Sequence, residues 1–260
     1  MPTITDQMGR QVLCPQHPQR IISLVPSQTE LLMDLGLGNR LVGRTKFCIH
    51  PADQLANITV IGGTKNFRFE QIDALSPDLI IGNKEENYEE GIAALAEKYP
   101  VLMSDIFTLT DALQMIQMVG TATGTAPQTA DLLQKIEQEF NLLMQAQTAP
   151  KRVLYLIWKN PYMAAGGNTF ISDMISRMGW HNVLGDTERY PQLTDAQIQA
   201  LQPDVILLSS EPYPFSLSKD AAALEDLCPS AQVLLVDGEM FSWYGSRLRF
   251  APRYLMDLLS

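Results

Sequence analysis

Short apolar runs alternate with amphipathic stretches along this chain. The first run, Arg20-Ile-Ile-Ser-Leu-Val25, stops at Pro26 and leads into Ser27-Gln-Thr-Glu30 and then Leu31, Leu32 and Leu35. Ser27 and Glu30 have capping-box spacing, in which the serine oxygen and the glutamate each satisfy a free helix N–H, so a strand-to-helix turn closed by Gly36 is expected. Strands are expected around residues 41–45, near 58–61, at 79–82 and at 101–104, with helices near 69–75 and over 88–98. The order then recurs: strand 152–158, helix 171–178 closed by Gly179, helix 195–201, strand 205–208, helix near 221–227, strand 233–236 and a last helix from Ala251. Strands alternating with helices in this way predict βαβ units, hence an α/β fold with mostly parallel sheets.

The recurrence extends to residue identity. Residues 70–86 read EQIDALSPDLIIGNKEE and residues 196–212 read AQIQALQPDVILLSSEP. Gln71, Ile72, Ala74, Leu75, Pro77, Asp78, Ile80 and Glu85 return as Gln197, Ile198, Ala200, Leu201, Pro203, Asp204, Ile206 and Glu211, at a constant offset of 126. Two copies predict two similar lobes, with ligand expected in a cleft between them. Between the copies, residues 127–147 carry one apolar stripe, Leu133, Ile136, Phe140 and Leu143, with Pro127 in the first turn and Pro150 beyond the end. This long helix reads as a connector, or as a surface helix within a single domain. The connector reading divides the chain into an N-terminal α/β lobe (1–124), a connecting helix (125–149) and a C-terminal α/β lobe (150–260).

Composition narrows the function classes. With 46% hydrophobic and 18% charged residues the chain is neither disordered nor fibrous. A net charge of −10 without a clustered basic surface argues against a nucleic-acid partner. No apolar run of about 18 residues is present, so no membrane-spanning segment is expected. The N-terminus MPTITDQMGRQV lacks the features of a secretory signal, which leaves two expectations: a periplasmic or cell-surface protein whose leader was trimmed, or a cytoplasmic one if this N-terminus is native. Three dispersed cysteines, Cys14, Cys48 and Cys228, imply no disulfide framework.

In open α/β sheets, ligands sit beyond the carboxyl ends of the strands, which selects the candidate residues. Aromatic and charged side chains there suit a bulky, partly ionic small molecule: Lys46, Phe47, Lys65, Asn66, Asn83, Glu85, Trp158, Tyr190, Trp243, Tyr244 and Arg247. Cys48 and His50 would project to one side of an extended segment and could share a soft metal if Glu85, Glu86 or Asp53 completed the site; otherwise they line the cleft. Lys65-Asn66 and the cluster from Asn83 to Asn87 read as ligand contacts or as solvated turns. Trp243-Tyr244-Gly245 with Arg247 reads as an anion-stacking loop or as packing of the last loop. Glu70 reads most simply as an acid favourable to a helix N-terminus. Phosphate-loop, dinucleotide, zinc-peptidase and nucleophile-elbow signatures are missing, so no enzyme is indicated.

The run from Arg20 to Leu31, Gly43, the repeated Phe69-Glu70-Gln-Ile-x-Ala-Leu-x-Pro-Asp-Leu-Ile and the long central helix together resemble the helical-backbone (class III) substrate-binding proteins for vitamin B12 and ferric siderophores. The similarity runs from Thr3-x-Thr5-Asp6-x-x-Gly9-Arg10 to the last helix. It implies two Rossmann-like lobes bridged by one stiff helix, a monomer without intrinsic cofactor, and capture of a cobalamin-like corrinoid or ferric siderophore for delivery to an ABC transporter permease. It also implies transporter docking through an acid on each lobe; Glu70 matches the first position, while the second falls on Ala196, beside Asp195. Tyr190 matches an aromatic position of the corrinoid receptors, whereas Thr64 and Asn83 stand where those receptors carry tryptophan. The rival expectation is a cytoplasmic metal- or cofactor-binding protein or enzyme on the same fold, using Cys48 and His50.

Overall fold

Apolar runs become strands where β-branched residues cluster, and the stripes between them become helices. A computed structural model describes residues 2–259. In chain order the first part contains β1 (Thr3–Thr5), β2 (Gln11–Leu13), β3 (Ile21–Ser23), α1 (Pro26–Asp34), β4 (Leu41–Arg44), α2 (Ala52–Leu55), β5 (Thr59–Val60), β6 (Gly62–Gly63) and β7 (Asn66–Phe67). Then follow α3 (Phe69–Leu75), β8 (Leu79–Asn83), α4 (Glu89–Ala96), β9 (Val101–Ser104), α5 (Leu109–Thr123) and α6 (Ala126–Gln145). The second part contains β10 (Arg152–Trp158), β11 (Tyr162–Ala164), α7 (Phe170–Arg177), β12 (His181–Asn182), β13 (Gln192–Leu193), α8 (Asp195–Leu201) and β14 (Val205–Ser209). It ends with α9 (Leu217–Leu227), β15 (Gln232–Val236), α10 (Glu239–Ser242), a 3-10 turn (Ser246–Arg249) and α11 (Ala251–Asp257).

These elements form two compact units. Unit 1 takes the chain up to Ile106, Thr110–Ile136 and the late segment Tyr244–Arg249; unit 2 takes Phe107–Leu109, Glu137–Trp243 and the chain from Phe250. Helix α6 contributes its first half to unit 1 and its second half to unit 2. The sheet of unit 1 is wholly parallel, in the order β5-β4-β3-β8-β9. That of unit 2 runs β13-β11-β10-β14-β15, parallel across β10, β14 and β15, with β11 antiparallel to β10. Strands β8 and β14 are buried at every residue, as parallel strands covered on both faces must be.

The repeated motif has a structural reason. In unit 1 the Asp78 carboxylate accepts the N–H groups of Gln19 and Arg20 at 2.7 and 2.8 Å, while the Arg20 guanidinium donates to the carbonyl of Leu75. In unit 2 Asp204 accepts the Arg152 N–H at 2.7 Å, and Arg152 donates to the carbonyls of Leu201 and Gln202. The aspartate caps the entry of β3 or β10, and the arginine caps the carbonyl end of α3 or α8, the helix just before that aspartate. Ser76 and Gln202, at φ 43° and 46°, make the same left-handed exit from α3 and α8.

Three expectations change. The capping box at Ser27 and Glu30 does not form, because Pro26 starts α1 two residues earlier with Val25 as its cap, and Glu30 pairs with Arg247 instead. Such a box forms at Thr194 and Gln197. Helix α5, absent from the sequence expectation, fills residues 109–123, its inner face formed by Leu109, Ala112, Met115, Ile116 and Val119. Finally, the segment following β4 is a turn rather than an extended strand, so Cys48 and His50 are not set side by side by strand alternation.

Candidate functional site

In unit 1 the chain order reverses between β3 and β8, and the carboxyl ends of these strands are the places where such a sheet binds ligand. A buried polar network lies there. Asn83 donates to the carbonyl and hydroxyl of Ser104 at 3.2 and 3.0 Å, and its Oδ1 accepts the N–H groups of Glu85 and Glu86. Asn87 accepts the Asn83 N–H at 2.9 Å and donates to the carbonyls of Leu24 and Thr64. The two asparagines therefore fasten the turn, leaving Glu85 and Glu86 half-buried at its tip. Gln28, fully buried, donates to Ser104 Oγ at 2.8 Å, while its own Oε1 has no partner among the described residues.

The neighbouring loops hold the other predicted residues of unit 1. Arg44 donates to the carbonyls of Thr45, Cys48 and Leu55 and so folds the 45–50 loop around itself. That loop buries Cys48 against Thr45 Oγ1 at 3.2 Å and turns Phe47 and Ile49 outward, each half exposed. Burial pushes the Cys48 thiol up, which favours the protonated, non-ligating form. Among the described residues no group of three or more His, Cys, Asp or Glu side chains is placed to hold a metal ion, so Cys48 and half-buried His50 gain no third ligand. Lys46 lies 4.8 Å from the centroid of the Phe47 ring. Lys65 donates to the Glu85 carbonyl at 2.6 Å, and Asn66 closes its hairpin by accepting the Gly63 N–H. Thr64 is buried, and Lys84 pairs with Asp105 at 2.7 Å. Glu70 is exposed in the first turn of α3.

In unit 2 the corresponding reversal lies between β10 and β14. Trp158 ends β10 with 40% of its surface exposed and Tyr213 edge-on at 5.7 Å. Lys159 is neutralised by Asp220 at 2.7 Å. Tyr190 is half-buried, with the Arg189 guanidinium 5.5 Å from its ring centroid. The tip of β14 is polar: buried Ser209 accepts from the Tyr155 phenol at 3.2 Å and donates to the Glu211 carbonyl at 2.6 Å. The Glu211 carboxylate accepts the Ser242 hydroxyl at 3.1 Å and the Trp243 indole N–H at 3.0 Å. Burial pushes this carboxyl up, the two donors oppose that, and nearby Glu239 and Asp237 reinforce it.

The late aromatic loop therefore divides its work. Trp243 and Tyr244 are buried rather than presented, and Trp243 anchors Glu211. In unit 1, Arg247 makes a two-pronged pair with Glu30 at 2.7 and 3.0 Å, and Arg249 pairs with Asp34 at 3.0 Å. The guanidinium expected to meet an anionic ligand is thus engaged inside its own unit. Glu211 and Gln28 fall in strand-end segments that the sequence marks as candidates, 209–211 and 26–29, but nothing in the sequence singles out either residue within them.

Comparison with known proteins agrees with this geometry. The sequence profile described as "Periplasmic binding protein" matches residues 21–231. A vitamin B12-binding protein of Pectobacterium atrosepticum is 25% identical over 252 residues, covering 94% of this chain and 89% of that protein. The apo periplasmic heme-binding protein RhuT of Roseiflexus sp. RS-1 superposes with a TM-score of 0.79 at 24% identity, covering 93% of this chain and 99% of that one. The molybdate-bound periplasmic binding protein MolA of a Haemophilus influenzae ABC transporter gives 0.83 at 17% identity, covering 100% and 90%. The last two likenesses speak for the fold alone. The family profile and the Pectobacterium relative are both named for binding, and nothing supports the rival enzyme expectation. On the extent of the profile match and on the two mostly parallel sheets, this chain belongs to the periplasmic binding protein family.

Proposed function

We propose that this protein is an exported receptor that captures a metal chelate, a corrinoid or an iron chelate such as a ferric siderophore, and passes it to an ABC transporter. The observation that carries this reading is the exposure of large apolar side chains at the carboxyl ends of both sheets: Phe47 at 50%, Ile49 at 51% and Trp158 at 40%. Apolar surface held in water at the place where such sheets bind ligand is suited to a broad, partly apolar molecule. The solute named for the Pectobacterium relative, vitamin B12, is of that kind. Binding is reversible, by stacking and hydrogen bonding, with no covalent step. Among the described residues no helix is long and apolar enough to cross a membrane, so handover needs a separate permease. Exposed Glu70 is the proposed docking contact; its repeat position, Ala196, offers no charge, which leaves Asp195 to serve unit 2.

The test is titration of the purified protein with cyanocobalamin, hemin and a ferric hydroxamate siderophore, followed by calorimetry and visible absorbance. Saturable binding of one of them at micromolar or lower Kd, weakened about tenfold or more in Trp158→Ala, is expected. Binding of none would overturn the proposal.

A further inference from the structure

The turn that follows the repeated strand is built alike in both units. Asn83 Oδ1 accepts the Glu85 N–H at 2.9 Å, and Ser209 Oγ accepts the Glu211 N–H at 3.4 Å. The last strand residue thus fastens the amide two positions on, and a glutamate is presented at the equivalent place in each unit. Glu211 has the more demanding surroundings. Both side-chain hydrogen bonds to its carboxylate, from Ser242 and Trp243, go to Oε1. The charged groups that bear on it are acids, Glu239 and Asp237, while Tyr155 on β10 and Tyr254 on α11 stand close to the same cluster as neutral phenols. Lys159, in the turn after β10, is already paired with Asp220. A half-buried carboxylate whose hydrogen-bonding and charged neighbours include no cation is costly to keep, and such a cost persists where the group is used.

We propose that Glu211 is a ligand-recognition residue whose Oε2 accepts a hydrogen bond from an amide, hydroxyl or ammonium group of the solute and whose charge rejects solutes that lead with a carboxylate. This rests on the receptor reading above and narrows it, favouring amide- or hydroxyl-bearing chelates over carboxylate-bearing ones. Ser242 and Trp243 act as positioning residues: by fixing Oε1 they set the direction in which Oε2 points.

The experiment compares wild type, Glu211→Gln and Glu211→Ala against cyanocobalamin, which carries amides and no free carboxylate, and hemin, a dicarboxylate, by calorimetry. Wild type is expected to prefer cyanocobalamin. Glu211→Ala is expected to weaken cyanocobalamin about tenfold or more, the loss of one charge-assisted hydrogen bond. Glu211→Gln, nearly isosteric, is expected to shift the preference toward hemin. Cyanocobalamin affinity in wild type is also expected to fall as pH drops through the raised range of Glu211, and that slope should vanish in Glu211→Gln even if Glu211→Ala folds poorly. Tight cyanocobalamin binding that is unchanged in both variants, with no pH slope to lose, overturns this inference and leaves the receptor standing. A wild-type preference for hemin overturns it as well. Binding of no chelate overturns both.

Discussion

Replacing Asp6 by alanine tests how unit 1 closes the edge of its sheet. Asp6 sits in the turn between β1 and β2 with its side chain wholly buried. One carboxylate oxygen accepts the N–H groups of Met8 and Arg10 at 3.0 and 2.9 Å. The other accepts Arg10 Nε and Nη2 at 3.0 and 2.7 Å and the N–H of Met103, on edge strand β9, at 3.1 Å. The Arg10 guanidinium is 36% exposed and returns to water when the aspartate is lost, so those two bonds add little. The Met103 N–H is buried and is left without a partner, which costs about 1–3 kcal/mol, and the two turn amides add about 1 kcal/mol between them. Asp6→Ala is therefore expected to lose about 2–4 kcal/mol of unit 1 stability. Urea unfolding followed by circular dichroism gives the total, and hydrogen exchange should show faster exchange at 101–104 than in β14. Asp6→Asn keeps the volume but turns an amide nitrogen toward donors, so it should recover only part of the loss. Stability within about 0.5 kcal/mol of wild type for Asp6→Ala, with β9 protection unchanged, would refute the reasoning.

Other outcomes follow from the same coordinates. A Cβ on Gly120 of α5 would lie 2.8 Å from Thr129 Cβ and Cγ2 on α6, so Gly120→Ala should destabilise by about 1–3 kcal/mol despite the gain in helix propensity, as measured by thermal unfolding; a stabilised variant would show that the helices give way. Because the folded-state pKa of Glu211 is raised, folding favours its protonated form, and its contribution is best below the unfolded carboxylate range and declines as pH rises into the raised range. Glu211→Gln should flatten that decline in urea unfolding at stepped pH; parallel curves for the two proteins would contradict it. Glu70→Ala is expected to leave chelate affinity unchanged and to abolish uptake in a transport assay; uptake at the wild-type rate would remove Glu70 from the docking surface.

The scaffold was legible where local chemistry acts alone. Helices 69–75 and 195–201 and strands 101–104 and 152–158 stand where the apolar pattern put them, because Pro77 and Pro203 stop one element and dense Val, Ile and Leu start the next. Helix α5 was missed although its inner face keeps helical spacing; methionine, threonine and glutamine among its outer positions blur the contrast on which periodicity depends. The candidate site was less legible, since a residue's availability depends on what tertiary structure brings to it. Nothing within a few positions of Arg247 announces Glu30, and nothing around Trp243 announces Glu211. Phe47 was selected only by its place after a strand; that it faces outward is the work of Arg44, which curls the loop.

The segment Tyr244–Arg249 also sets an order on biogenesis. Glu30 and Asp34 lie in α1, but their partners Arg247 and Arg249 follow 217 and 215 positions later. A chain still being synthesised carries unit 1 with two carboxylates waiting until residues 244–249 arrive. A nascent chain cut at Trp243 would leave the older unit unfinished, so arrival of this short segment is the event that completes unit 1.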